Sequence, residues 1–443
     1  MVDISTPISP IETYSQAEAF IMEALPMFQK VGKKAMGSYG LDRVNAFLDY
    51  LGNPHRTLTS IHIAGTNGKG STAHMLAAIY QSNGYKTGLF TSPHLISYRE
   101  RMKINGEYIP EEYVLSWVQK HFTYLSREPL SFFEMSMGLS CSWFQDEKID
   151  IAIMETGLGG RLDATNVISP ILSIITNIDW DHQDILGDSL AQIAYEKAGI
   201  IKPSVPVVLG NIDPELYPVF VEKARDTDSL LCFSDKIRIT GKDSHEAGIR
   251  YILDGQSIPV THVDLPTLGP YQEHNLLTVL HAAWLLKDRK GMELQWPAIG
   301  HGLEDFLQIS RFRGRYEIIH QNPLVIADAA HNPGGIRFFN PLFQNKSVHL
   351  HLVIGMVKGK DADAILSLLP SDATYYFCAA KIARAMEAKE LQTMAMRYGL
   401  KGEVYASPGQ ALLRLLENAN EKDIGLVIGS IYLLEEILKY GYI

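Results

Sequence analysis

The sequence predicts an α/β protein of two domains in series, each built on a mostly parallel sheet, with the first domain the larger. Three observations carry that prediction. From Thr57 onward, short apolar runs alternate with amphipathic stretches, the pattern of parallel strands covered by helices on both faces. The alternation breaks between Asp235 and Leu265 and has restarted beyond Gln308. The chain has 443 residues, too many for one hydrophobic core. An apolar content of 46% excludes a disordered chain.

Each element follows from its own signals. Leu58–Ala64 reads as a strand, followed by a Gly-rich loop and a helix over 71–82 that Gly84 stops. Thr87–Phe90, Ile149–Met154, Ile171–Asn177 and Val205–Leu209 are further strand-like runs. A helix over 189–198 ends at Gly199, with Pro203 just beyond. The polar stretch Asp235–Leu265 reads as a small antiparallel appendage, and a helix follows over 272–287. The second domain then offers strands at Leu324–Ala327, Val348–Ile354, Thr374–Cys378, Glu403–Tyr405 and Leu426–Ile428, with a last helix over 432–439. The division falls between residues 307 and 308, giving domains 1–307 and 308–443. Two such domains normally hold a ligand in the cleft between them.

Composition narrows the function. Forty Lys and Arg against 50 Asp and Glu leave a net charge of −10, which argues against general nucleic-acid binding but not against a locally positive pocket for a small anion. Three scattered cysteines, Cys141, Cys232 and Cys378, build neither a disulfide framework nor a zinc–thiolate site and read as buried thiols. Residues 1–16 lack the basic and apolar segments of a signal peptide. No apolar run approaches the roughly 18–20 residues of a membrane span. The expectation is a cytoplasmic protein with no membrane partner.

The most informative segment runs from Ile61 to Thr72. A strand enters a turn with three glycines, Gly65, Gly68 and Gly70, and leaves as a helix. Glycines let successive N–H groups converge on phosphate oxygens, and the helix N-terminus and Lys69 add positive charge. The usual phosphate loop reads G-x-x-x-x-G-K-[ST]. Here Gly70 intervenes between Lys69 and Ser71, so this is a variant. Gly65, Thr66, Asn67, Gly68, Lys69, Gly70, Ser71 and Thr72 are the candidate nucleotide contacts; alone, the segment would also serve as a Gly-rich turn with a surface lysine.

Three polar segments close predicted parallel strands, where ligands bind in open α/β sheets. They are Thr91-Ser92-Pro93-His94, the run Glu155-Thr156-Gly157-Leu158-Gly159-Gly160-Arg161-Leu162-Asp163-Ala164-Thr165-Asn166, and Thr176-Asn177-Ile178-Asp179-Trp180-Asp181-His182-Gln183-Asp184. Phosphoryl transfer needs a divalent cation held by few protein ligands. Glu155 stands at a strand end for that task, and residue chemistry would add Asp179 or Asp181. Lys197 closes a helix, where a lysine ordinarily complements the helix dipole in solvent.

Gly-Thr-Asn-Gly-Lys-Gly-Ser-Thr and these three segments, in this order, resemble the folylpolyglutamate synthetases and dihydrofolate synthetases, within the Mur ligase superfamily of ATP-dependent amide ligases. The resemblance runs over about residues 20–440. It implies an N-terminal P-loop ATPase domain and a smaller Rossmann-like C-terminal domain. It implies ATP and magnesium at two sites, and leaves room for a monovalent cation. Ser92, Glu155 and His182 would be magnesium ligands, although histidine is an uncommon partner for so hard a cation. Lys197 would carry a carbamate and help hold the second magnesium.

The same resemblance assigns the second domain. Asp328 and His331, in Ala327-Asp328-Ala329-Ala330-His331-Asn332-Pro333, would serve nucleotide and glutamate. Arg315 would reach ATP phosphate, although Arg313 stands where the family usually has proline. Gln272 and Asn275 would contact adenine, and Ser430 would face glutamate. Asp163 and Phe133 are the weakest assignments, toward the pterin. Lys69, His182, Lys197, Arg315 and His331 form the expected catalytic set. The implied reaction activates a folate or dihydropteroate carboxylate as an acyl phosphate, which L-glutamate displaces, in a monomeric enzyme. A cell-wall ligase acting on a uridine diphosphate sugar peptide is the alternative within the superfamily; a P-loop kinase or GTPase and a non-catalytic nucleotide-binding regulator are the alternatives outside it.

Overall fold

A computed structural model describes residues 10–24, 40–234, 237–245, 248–254 and 258–439. Its first sheet has eight strands: β1 (Ser60–Ala64), β2 (Thr87–Phe90), β3 (Met102–Ile104), β4 (Glu107–Tyr108), β5 (Ile151–Glu155), β6 (Leu172–Asn177), β7 (Val207–Asn211) and β8 (Leu231–Phe233). Their order is β4-β3-β2-β5-β1-β6-β7-β8. The strands from β2 to β8 are parallel, and β3 and β4 extend one edge antiparallel. Because β1 lies between β5 and β6, the chain leaves β1 at a switch point, where crossovers diverge and open a crevice beyond the strand ends.

The helix after β1, α1 (Lys69–Ser82), is buried continuously from Ser71 to Tyr80. A helix buried on every side belongs in a core. Here it lies beneath the sheet and against three later helices. Helices α2 (Glu111–Leu125) and α3 (Phe132–Asp146) separate the β3–β4 hairpin from β5, and α4 (Leu190–Ala198) joins β6 to β7. The sequence reading had no elements between Phe90 and Ile149. The hairpin strands are only three and two residues long, too short for an alternation to register. In α3 the small and polar residues Ser136, Gly138 and Ser140 are as buried as Met135 and Met137, which erases an amphipathic stripe.

The polar appendage is a three-stranded antiparallel sheet, β9 (Arg238–His245), β10 (Gly248–Asp254) and β11 (His262–Leu265), as expected. Asp235 and parts of its connections lie outside the described residues, as do residues 1–9 of the N-terminal reading. After it come α5 (Gln272–Lys290), α6 (Trp296–Glu304) and α7 (Phe306–Ile309).

The chain then crosses to a second sheet of β12 (Glu317–His320), β13 (Leu324–Ala327), β14 (Leu350–Ile354), β15 (Thr374–Phe377), β16 (Lys401–Val404) and β17 (Ile424–Ile428), in the order β12-β13-β17-β14-β15-β16. All but β12 are parallel. Residues following β1, β2, β5 and β6 and residues following β13, β14 and β17 wall one shared cavity, so the carboxyl ends of the two sheets face each other. All three cysteines are buried and unpaired in disulfides. Among the described residues no helix is long and apolar enough to cross a membrane.

Two glycines of α6 test how tightly α1 is gripped. A Cβ on Gly302 would sit 2.8 Å from the Ala78 carbonyl oxygen and 2.9 Å from Ile79 Cα, whereas one on Gly300 would meet nothing within 4 Å. Gly302→Ala should therefore destabilise by about 1–3 kcal/mol through overpacking. Gly300→Ala should stabilise by about 0.5–1 kcal/mol through helix propensity. Urea unfolding of the pair reads both signs; equal effects would contradict the packing.

Candidate active site

The loop after β1 is held in shape before anything binds it. Thr66 N donates to the Asn177 carbonyl at 3.0 Å and Asn67 N to Asn177 Oδ1 at 2.7 Å. Thr176 Oγ1 donates to the Asn67 carbonyl at 2.6 Å, and Asp179 N to Thr66 Oγ1 at 3.1 Å. The end of β6 thus forms a template for the loop. Gly68 caps α1 at φ 83°, the left-handed region that favours glycine, with Asn275 directly against the face a Cβ would occupy.

Two lysines converge here. Lys69 Nζ donates to the carbonyls of Gly65 at 2.9 Å and Thr66 at 3.2 Å, and Lys197 Nζ donates to the same Gly65 carbonyl at 2.9 Å. Lys197 is not the solvated helix-end lysine that sequence physics suggested. It is 3% exposed, because α4 packs that face against the loop rather than leaving it to solvent. Burial and the neighbouring Lys69 push its ammonium down to about 7. Lys69 is also pushed down by burial, against the pull of Glu155.

Glu155, the last residue of β5, accepts from Ser92 N at 3.0 Å, so two of the expected metal ligands are neighbours. Burial raises its carboxyl, and Lys69 opposes that. His182 lies 3.7 Å from Asp181 Oδ1 and, with Ser92, Glu155 and Lys197, lines the same cavity of about 330 Å³. Among the described residues no three His, Cys, Asp or Glu side chains cluster for a metal. The chemistry of the expected donors, one carboxylate beside Ser92 and an imidazole elsewhere on the same cavity wall, fits a magnesium ion that takes most of its ligands from phosphate and water. Asp181 is otherwise engaged. It pairs with Lys360, lies 3.5 Å from His331 Nε2 and accepts from Asn332 Nδ2 at 3.4 Å. Although burial opposes ionisation, these partners and His182 hold its carboxyl well below the usual range.

The second domain closes the other wall. Asp328 is held by Tyr271 Oη at 2.5 Å, Tyr316 N at 2.7 Å and Ala330 N at 2.7 Å, and burial raises its carboxyl. Asn67 and Asn332 exchange hydrogen bonds between their side-chain amides at 3.3 and 3.0 Å, joining the loop directly to the segment after β13. Arg315, His331 and Ser430 line the cavity. Of the adenine pair only Asn275 does so; Gln272 sits behind it, accepting from Asn275 Nδ2 at 2.8 Å. Thr72, likewise, is fully buried one turn into α1, away from the cavity that Ser71 lines. Asp163 reaches the cavity, but its oxygens accept from Leu158 N at 2.8 Å, Thr165 N at 3.0 Å and Thr165 Oγ1 at 2.5 Å, the pattern of a loop cap. Phe133 covers Gly157 at the same end.

Three cationic groups were not singled out from the sequence. Lys360 follows β14 in Lys358-Gly359-Lys360, and its place past a parallel strand was the available signal. Arg384 donates to Tyr432 Oη at 2.8 Å and lies over that ring at 5.1 Å. Arg101 is 5% exposed. Its Nε donates to His94 Nδ1 at 2.7 Å and its guanidinium lies 4.8 Å from the centre of the Phe132 ring, while the residue lines the cavity. No signal in the sequence marked Arg384, whose partner Tyr432 is distant in the chain; Arg101 ends the loop His94–Arg101 that the resemblance brings toward the pterin, but nothing in the sequence separated it from Arg99 in that loop.

Comparison with known proteins gives two matches in chain order, the Mur ligase middle domain over residues 63–283 and the Mur ligase glutamate ligase domain over 314–431. The chain is 33% identical over 358 residues to the dihydrofolate synthase/folylpolyglutamate synthase of Mycobacterium tuberculosis, which covers 74% of this chain and 72% of that one. It is 32% identical over 411 residues to a probable bifunctional folylpolyglutamate synthase/dihydropteroate synthase of Haloferax volcanii. That match takes in 90% of this chain but 48% of the relative, so the chain spans about half the relative's length. A solved bifunctional folylpolyglutamate synthase/dihydrofolate synthase with Mn, AMPPNP and L-glutamate bound is similar at a TM-score of 0.81 and 25% identity, over 98% of both chains.

The buried Lys197 has a pH signature. Its ammonium titrates near 7 in the folded chain against an ordinary 10.5, so between those values the unfolded chain binds more protons. Stability of the metal-free protein in CO2-depleted buffer should therefore rise with pH across that window. Lys197→Met should remove this contribution. Denaturant midpoints at pH 7 and 9 check it, and an unchanged slope in the variant would contradict the burial.

Proposed function

We infer the activity from one premise: this chain belongs to the folylpolyglutamate synthase/dihydrofolate synthase family of Mur ligases. It joins L-glutamate to the carboxylate of a folate, at the expense of ATP, and adds the first glutamate to dihydropteroate as well. The observation that supports this best is the cavity between two facing sheets, with the glycine loop on one side and Asp328, His331 and Ser430 on the other. We divide the chain into an ATP-binding part, 1–307, and a glutamate-ligase part, 308–443; that division falls inside α7, two residues before the crossing to the second sheet begins. We read the protein as a monomer, and three buried cysteines outside any disulfide suit the cytoplasm.

In this reading the glycine loop and Lys69 hold the triphosphate, and Arg315 meets it from the second domain. A carboxylate is a poor electrophile at neutral pH. Its oxygen attacks the γ-phosphorus, the bond to ADP breaks, and the acyl phosphate carries a competent leaving group. The amine of glutamate adds to the acyl carbon, loses a proton, and expels inorganic phosphate. The chain contributes position and charge neutralisation, and closing the second domain over the first would exclude water that would hydrolyse the acyl phosphate. A divalent cation, when bound by Ser92, Glu155 and His182, would neutralise phosphate charge. Lys197, whose depressed titration leaves neutral amine at neutral pH, would add to CO2 and release a proton to give the carbamate; intact mass in bicarbonate buffer, compared between wild type and Lys197→Met, reads that directly. Arg101, buried with its Nε committed to His94, offers its terminal nitrogens to the folate-side carboxylate.

The deciding assay measures ADP release and labelled glutamate incorporation with dihydropteroate, tetrahydrofolate and a uridine diphosphate sugar peptide offered separately. Glutamate-dependent turnover with the first two is expected; ADP release indifferent to glutamate would sink the reading, and turnover only with the third would favour a cell-wall ligase. Lys69→Ala and His182→Ala should each lower kcat roughly 10²–10³-fold with unchanged circular dichroism. Wild-type rates in both would remove this site.

Arg101→Met keeps an unbranched apolar stem and loses the guanidinium. It should raise KM for the folate about 10-fold or more, as expected for a lost charge-assisted hydrogen bond, with KM for ATP unmoved. Steady-state kinetics in each substrate check the split; an effect confined to ATP would reassign the residue.

A further inference from the structure

The chain reaches Arg315 through a short connection after α7, and that connection is tied down from below by a buried lysine that the proposed mechanism does not use. Lys103, in the middle of β3, is 3% exposed. Its ammonium donates to the carbonyl of Ser310 at 2.9 Å, to the carbonyl of Arg311 at 3.0 Å and to His74 Nε2 at 3.2 Å, so all three N–H groups are used. Because Nε2 of His74 accepts, the imidazole is neutral and carries its proton on Nδ1, which donates to the Gly70 carbonyl at 2.8 Å. Gly70 lies in the first turn of α1, within the phosphate loop. The Phe312 ring lies 4.4 Å from that imidazole, and Arg311 pairs with Glu107 of the β3–β4 hairpin. Gly314 follows at φ 76°, and Arg315 enters the cavity.

A continuous set of contacts therefore runs from the loop that holds phosphate, through His74 and Lys103, to the two peptide carbonyls four and five residues before Arg315. We propose that Lys103 and His74 are positioning residues, which lock the connection between the domains onto the phosphate-loop helix and so aim Arg315 at the nucleotide. The proposal rests on Arg315 meeting phosphate as read above. It differs from a plain packing role in one respect: its effect on turnover passes through Arg315. A lysine suits the task because a single ammonium satisfies two backbone carbonyls and one ring nitrogen at a point where water is excluded. Orientation errors of about 1 Å at a reacting group cost roughly 10²-fold in rate, which is the scale on which a loosened connection would act.

The test is a double-mutant cycle on kcat with Lys103→Met, Arg315→Ala and the combined variant. Lys103→Met should lower kcat roughly 10- to 100-fold. The combined variant should be no slower than Arg315→Ala alone, since there is then no guanidinium left to aim. Loss of the same factor in both backgrounds would show a merely structural role and overturn the proposal; so would a Lys103→Met enzyme within about twofold of wild type. If Lys103→Met does not fold, His74→Phe replaces it: the ring against Phe312 is kept, the acceptor is lost, and the same non-additivity with Arg315→Ala is required. Wild-type turnover in Arg315→Ala overturns both the assignment of Arg315 and the route through it. A wild-type protein without glutamate-dependent ADP release sinks the functional reading instead; the cycle is then read on the affinity for a fluorescent ATP analogue, where additivity would again overturn the coupling.

Discussion

One backbone oxygen organises this site. The Gly65 carbonyl accepts from Lys69 and from Lys197 at 2.9 Å each, which holds two ammonium groups no more than about 6 Å apart, a repulsion of about 3 kcal/mol at an effective dielectric of 20. Burial opposes both ammonium groups, and the carboxylates that pull the other way, Glu155 and Asp181 on Lys69 and Asp181 and Asp163 on Lys197, do not overcome it, so the arrangement is under tension. It relaxes in two ways. A polyanion can enter beside Lys69, or Lys197 can lose its proton, and the depression of its titration to about 7 records the second. The nucleotide and the proposed carbamate are thus two answers to one electrostatic excess.

The same excess explains why the second domain matters. Asp181 could have neutralised the loop, but Lys360 from beyond β14 and the amide of Asn332 occupy it. The Asn67–Asn332 exchange lies next to that pair. Hence the contacts that bring the two sheets face to face also share the charge of Asp181, which still acts on Lys69 and Lys197, with groups of the second domain. Closure of the cleft and its readiness for an anion are one event, made by groups after β6 on one side and after β13 and β14 on the other.

Most of the fold was legible because parallel strands buried on both faces are apolar runs bounded by turn residues. Thr87–Phe90 and Leu324–Ala327 fall where the sequence placed them, and β1, β5, β6 and β17 differ only at their ends. The stretch from Phe90 to Ile149 was not legible, because the hairpin strands are too short and α3 buries serines beside methionines. In the site, Glu155 could be placed at a strand end from the sequence, whereas Ser92 and His182 were reached only through the resemblance, since residue chemistry favoured Asp179 or Asp181; Glu155, Ser92 and His182 all line the cavity. Whether a lysine is solvated could not be read: Lys197 and Lys103 are ordinary lysines in sequence, and only packing by other segments buries them. Gln272 and Thr72 show the converse, since a motif marks neighbours of the cavity along with the residues that line it.

The acidic whole and the cationic site are consistent once scale is considered. A net charge of −10 acts on an approaching anion through solvent, where charges farther apart than about 8–10 Å are largely screened. The wall of a cavity of about 330 Å³ carries Lys69, Lys197, Arg101, Arg315, Lys360 and Arg384 with Glu134, Glu155, Asp163, Asp181, Glu196 and Asp328, and most of the carboxylates have partners of their own: Glu134 has Arg43, Glu196 has Arg161, Asp181 has Lys360, and Asp163 and Asp328 accept from backbone N–H groups. Water is sparse there and those charges act at close range. The acidic exterior keeps such a chain dispersed and gives ATP or a folate no general attraction. Selection among anions must then come from geometry: a turn that fits consecutive phosphates, a guanidinium beside Phe132, and a connection that brings Arg315 to its position.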